Sequence, residues 1–91
     1  MSGGGALRGV VGQIKWSYYI AAAINGYTVT RSRENVWRLH ATVVLADNFK
    51  IKQRPLTFVA PHATGEWCWP IEQWDMHDGI FTAQLGQPEE R

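Results

Sequence analysis

The chain has a single cysteine, Cys68, so no disulfide can close within its 91 residues. A secreted domain of this size usually leans on such staples, which points to a reducing, cytoplasmic compartment. It also has no apolar run of about eighteen residues, the length a membrane-spanning helix needs. The longest candidate, Tyr18 to Ile24, falls far short, so no membrane association is expected. Residues 1–8 lack the apolar segment of a signal peptide.

Catalytic signatures are missing as well. The serines are Ser2, Ser17 and Ser32, and none sits in a G-x-S-x-G elbow. His40, His62, His77 and Cys68 are the only soft metal ligands, with no C-x-x-C or H-x-x-x-H spacing among them. His62 and Cys68 can meet across a hairpin, but two ligands do not complete a structural zinc site. Cys68, between Trp67 and Trp69, reads as a small side chain on a half-exposed face. Glu66 with Glu72 and Asp75 with Asp78 are paired carboxylates, but Asp78 belongs to a turn and Asp75 to the solvent face of a strand. A domain this small also has little room for the cleft that glycoside chemistry needs. These absences predict a chain that is not an enzyme, with no metal and no cofactor.

What is present is apolar and aromatic. The apolar share is 45%, enough for a folded core, and five Trp supply much of it in few residues. Net charge is only +1, but the charges are segregated. Arg31, Arg33, Arg38, Lys50, Lys52 and Arg54 face only Glu34 and Asp47 over residues 31–54. Glu66, Glu72, Asp75, Asp78, Glu89 and Glu90 face only Arg91 over residues 66–91. Such asymmetry bears on partners rather than on fold.

The apolar pattern has the period of strands. Val10 to Tyr18 alternates, and Tyr19 to Ile24 either continues that strand or forms one or two helical turns. Asn25-Gly26 then closes the segment as a tight turn. Tyr27 and Val29 mark a short strand, and Trp37, Leu39, Ala41, Val43 and Leu45 a long one. Asp47-Asn48 turns the chain into a short edge strand at Phe49 to Lys52. Leu56, Phe58 and Ala60 make the next strand, and Trp67, Trp69 and Ile71 the one after. Pro70 places that strand at an edge or at a bulge. Trp74 and Met76 have the opposite parity to Trp69, which one inserted residue near Ile71 to Gln73 would reconcile. Asp78-Gly79 is a two-residue hairpin loop that sets His77 opposite Ile80, Met76 opposite Phe81 and Trp74 opposite Ala83. In that register Trp74, Met76, Phe81, Ala83 and Leu85 face inward.

The expected fold is therefore all-β, a five- to six-stranded antiparallel small barrel or sandwich, with a short helix near residues 19–25 as an option. Residues 1–8 are expected to be a flexible leader, 9–86 a single domain and 87–91 a polar tail.

The runs Pro55-Leu-Thr-Phe-Val-Ala-Pro-His62, Gly65-Glu-Trp-Cys-Trp-Pro-Ile71 and Phe81-Thr-Ala-Gln-Leu-Gly86 resemble small uncharacterised proteins of tailed phages and prophages. Trp16, Tyr27-Thr-Val-Thr-Arg31 and the Thr42 to Phe49 stretch extend the likeness over most of the chain. The resemblance implies a minor virion or assembly component, or an inhibitor of a host protein, located in the host cytoplasm or the virion. It assigns no role to any residue.

The residues themselves point to a protein-binding or assembly module that self-associates or binds a protein partner. Its candidate interface is Trp67 and Trp69 with Glu66 and Glu72. Strand edges at Phe49 to Gln53 and Trp67 to Pro70 suit strand addition by a partner. The alternative is a single-stranded nucleic-acid binder using Arg31, Arg33, Arg38, Lys50, Lys52 and Arg54, with Trp37 among them.

Overall fold

The Asp78-Gly79 turn does what its chemistry dictates. Both residues have positive φ, 50° and 75°, as a hairpin turn matched to strand twist requires. It joins β5 (Gly65–His77) to β6 (Ile80–Leu85) with His77 opposite Ile80, Met76 opposite Phe81 and Trp74 opposite Ala83. The ladder slips between Ile71 and Gln73, so the expected bulge is present. Phe81, Ala83 and Leu85 are buried, and Trp74 stacks on Phe81 with ring centroids 5.4 Å apart.

The rest of the barrel is built around this hairpin. A computed structural model describes residues 5–53 and 55–91. Before the hairpin come β1 (Gly5–Trp16), β2 (Tyr19–Arg31), β3 (Trp37–Ala46), α1 (Asn48–Ile51) and β4 (Leu56–His62); β7 (Glu89–Glu90) follows it. All pairings are antiparallel, in the order β4-β1-β2-β3-β6-β5-β7, and β4 also pairs with β5, closing the sheet into a ring. Two meanders, β1-β2-β3 and β4-β5-β6, are thus joined along the β3–β6 and β1–β4 seams. β7 extends β6 along the same strand, with Glu89 opposite Cys68 and Glu90 opposite Trp67. Pro70 sits at the junction, its carbonyl accepting from the Gly86 N–H at 2.7 Å. Its missing N–H therefore faces the irregular step between β6 and β7, where no ladder bond is lost.

Several expectations are corrected here. Residues 19–25 form no helix; they lie in β2, which pairs with β1 and β3. The ambiguous periodicity has a cause. Ala21 is the unpaired residue of a bulge, so Ala21 and Ala22 are both buried and strict alternation fails. Asn25-Gly26 is not a turn between strands but a second bulge within β2, with Gly26 at φ 102°. Phe49 to Lys52 is not an edge strand. The Asp47 carboxylate accepts from the Phe49 and Lys50 N–H groups at 3.1 and 3.3 Å, capping α1. Ile51 is then buried under the barrel end while Phe49 stays exposed. Gly5 to Arg8, expected in a flexible leader, pair with Arg31 to Thr28, and Glu89-Glu90 of the expected tail pair with β5.

The core is an aromatic chain. Tyr27 packs edge-on to Phe58 at 5.0 Å, Phe58 stacks on Trp69 at 5.6 Å, and Trp69 leans on Trp37 at 5.9 Å. Ile14, Val29, Leu39, Ala41 and Phe81 surround it. Among the described residues no helix is long and apolar enough to cross a membrane.

Candidate partner interface

The ring does not close along its whole length. β1 pairs with β4 only from Gln13 opposite Val59 to Trp16 opposite Leu56, yet it pairs with β2 as far as Gly5 opposite Arg31. Among the described residues, Gly5–Gly12 therefore pair on one side only. Between this open edge and β5 lies an apolar groove of about 290 Å³, walled by Leu7, Val29, Trp37, Trp67, Trp69 and Pro88. Arg31 sits at its rim, with Cζ 5.5 Å from the centre of the Trp37 ring. The buried indole N–H groups of Trp37 and Trp69 find no acceptor among the described residues. An unpaired buried donor costs on the order of 1–3 kcal/mol, so this wall is not optimised as plain core.

The candidate interface residues divide. Trp67 is half-buried in the groove wall, 6.4 Å from Trp69 and 5.9 Å from the His62 ring. Trp69 is 2% exposed and belongs to the core, which corrects its reading as a free anchor. Glu66 is held by two backbone bonds to Arg91, at 2.9 and 2.8 Å, and Glu72 is exposed and accepts from the Gln84 amide at 3.3 Å. Glu66 and Glu72 thus lie along β5 without forming one site with Trp67. Neither expected strand edge is open, since Phe49 to Ile51 are helical and Trp67 to Pro70 pair with β4 on one side and lie against β7 and Gly86 on the other.

The basic cluster also comes apart. Arg31, Arg33 and Arg38 lie at the groove end, where β2 ends and β3 begins. Lys50 and Lys52 lie by α1 at the other end, Lys50 with its ammonium 4.4 Å from the Tyr19 ring centre. About 26 Å of extended strand, Arg38 to Ala46, separates the two groups. Arg54 lies outside the described residues.

Cys68 is buried rather than half-exposed, and burial pushes its thiol pKa up, which keeps it protonated at neutral pH. Among the described residues no three His, Cys, Asp or Glu side chains cluster in a way that would hold a metal ion. His62 lies 3.2 Å from the Glu90 carboxylate and stitches β7 to the end of β4.

The open β1 edge was not anticipated, because residues 1–8 read as a leader. Its signal was available in Gly5-Ala-Leu-Arg-Gly-Val-Val-Gly12, a stretch with one charge and no proline. A second depression, about 510 Å³, lies over Thr28, His40, Thr82 and Asp75, which follow one another across β2, β3, β6 and β5. Its lining mixes polar side chains, Arg38 among them, with Trp74 and other apolar surface. No protein family, characterised protein or solved structure matches the chain.

Proposed function

We propose that this chain is a non-catalytic protein-binding module that takes an extended segment of a partner along the Gly5–Gly12 edge of β1. One observation carries the reading: an unpaired strand edge with a single charge runs beside an aromatic groove. A strand laid on that edge gains main-chain hydrogen bonds, and every second side chain points toward the groove. Trp37 and Trp67 supply the apolar contact that gives such complexes most of their affinity. The resemblance to tailed-phage proteins suggests two settings, assembly of a virion and inhibition of a host protein. The nucleic-acid reading is not favoured, because its described cations, Arg31, Arg33 and Arg38 against Lys50 and Lys52, fall into two groups at opposite ends of the barrel.

A ten-residue peptide alternating valine and threonine is a suitable probe. Its addition should shift the amide NMR signals of Gly5–Gly12 and the indole signals of Trp37 and Trp67, and leave β6 and α1 unmoved. Shifts confined to the Thr28, His40 and Thr82 face would defeat the proposal.

A further inference from the structure

The end of the barrel away from the groove exposes most of the molecule's bare apolar surface. Nine large apolar side chains are exposed among the described residues, and six of them, Tyr18, Tyr19, Ile20, Val44, Leu45 and Phe49, gather at the α1 end. Three local features put them there. Tyr18 and Tyr19 lie at the turn from β1 to β2, where Ser17 has φ 55°. β3 outruns β6, whose ladder stops at Thr42 opposite Ile80, so Val44 and Leu45 have β2 on one side only among the described residues. α1 buries Ile51 and leaves Phe49 outside. Ile20, Leu45 and Asn48 wall a common depression, which joins turn, strand end and helix into one patch. An exposed apolar patch of this kind marks a contact surface.

The described cations around it are all lysines. Lys15 stands opposite Ile20 in the β1–β2 ladder, the Lys50 ammonium is 4.4 Å from the Tyr19 ring centre, and Lys52 is the exposed C-cap of α1. Asp47 lies among them, but its carboxylate is engaged by the first N–H groups of α1 and by Lys50 at 3.9 Å. Asp78 borders the patch on the hairpin tip, where the Gly79 carbonyl accepts from the Val43 N–H, and it lies 3.3 Å from His77. Positive charge therefore prevails.

Composition separates the two ends. The groove end combines tryptophan with arginine, which protein interfaces favour, whereas lysine is depleted from such interfaces. A bilayer surface suits the α1 end better. Aliphatic side chains and Phe49 find an apolar medium there, tyrosines rest at headgroup level, and lysine stems lie along apolar surface while their ammonium groups reach phosphate. The open end of β3 limits the depth. Its unpaired backbone groups stay among the headgroups, where water still reaches them, and only side chains enter the acyl layer.

We propose that the α1 end is a docking surface for an anionic lipid bilayer, entered by Tyr18, Leu45 and Phe49 while Lys15, Lys50 and Lys52 meet lipid phosphates. The contact is peripheral and needs no spanning segment. It goes beyond the strand-addition reading and leaves the groove, at the opposite end, free for its partner.

Co-sedimentation of the full chain with vesicles tests this. The wild type should bind vesicles of phosphatidylcholine with phosphatidylserine, bind phosphatidylcholine alone far more weakly, and lose affinity as salt rises. Leu45→Thr with Phe49→Ser, both at exposed positions, should weaken binding about tenfold or more with the thermal midpoint kept. Lys50→Gln with Lys52→Gln should weaken it about thirtyfold on the anionic vesicles, about fivefold for each lysine. In anionic bicelles, a spin-labelled lipid should broaden the amide NMR signals of Tyr18–Ile20, Leu45 and Phe49 and leave Gly5–Gly12 sharp. A wild type that ignores anionic vesicles overturns the proposal, and so does binding that both double variants retain in full or broadening centred on Gly5–Gly12. A lipid-free dimer in sedimentation equilibrium that Leu45→Thr with Phe49→Ser disperses would assign the patch to a second copy, and overturns it too. The peptide-induced shifts on Gly5–Gly12 are read without lipid, so strand addition stands or falls separately.

Discussion

β1 and β5 each leave half a strand unpaired among the described residues, and they treat that exposure in opposite ways. Glu72–His77 sets two carboxylates along its length and ends in a tight turn, while Gly5–Gly12 offers glycine, alanine, leucine and valine with one arginine. A free row of N–H and C=O groups is a template for another strand, and charge is a common device against that. The difference therefore separates an edge that is merely left over from one that is shaped for contact. What lies beside each edge points the same way. Trp74 is stacked on Phe81 near the β5 edge, whereas the β1 edge borders a groove in which the Trp37 and Trp69 indole N–H groups find no acceptor among the described residues.

The largest effect is expected from the groove wall. Trp69→Ala should cost about 3–5 kcal/mol in urea unfolding, the range for truncating a fully buried large aromatic. Trp67→Ala, half-buried, should cost clearly less and leave a folded protein. Equal losses would mean that both tryptophans are core, and that no contact surface lies beside the β1 edge. A smaller loss is expected within the edge itself. A Cβ on Gly9 would collide with the Tyr27 ring, so Gly9→Ala should cost about 1–3 kcal/mol through forced repacking. A neutral outcome would show that β1 is held too loosely to present a defined edge. The smallest change in stability comes from removing the protection on β5. Glu72→Val with Asp75→Val, both at exposed positions, should alter stability by no more than about 0.5 kcal/mol yet create a new, concentration-dependent association in sedimentation velocity. Unchanged sedimentation would show that something other than charge keeps that edge unpaired.

Much of the second meander was legible because its determinants are local. Asp78-Gly79 specifies the turn, and the parity change between Trp69 and Trp74 specifies the bulge; both are properties of a few consecutive residues. The first meander was harder to read. Bulges at Ala21 and at Asn25-Gly26 break the alternation of β2, and what is left also fits a helical stripe. Ladders on both sides override the helix preference of the three alanines, and a sequence pattern does not show which strands will flank it. α1 was missed for a different reason. Phe49 and Ile51 alternate like a strand, but Asp47 caps a helical turn that buries only Ile51.

The candidate site was less visible than the fold. Trp67 was found because large aromatics are rare and costly to expose, but nothing in its neighbourhood distinguished it from Trp69. The described basic residues are close in sequence, and β3, running the length of the barrel, carries Arg38 and Lys50 to opposite ends. By itself the sequence determined the all-β class, the β5–β6 hairpin with its bulge, and which face of each regular strand is apolar. These follow from the two-residue period of a strand and from the backbone demands of a tight turn. Only the tertiary structure decided that the sheet closes into a ring, that the closure stops at Gln13, and that Gly5–Gly12 is left as an edge beside three tryptophans. Closure depends on how far strands β1 and β4, distant in the chain, twist past one another, and no local pattern encodes that length.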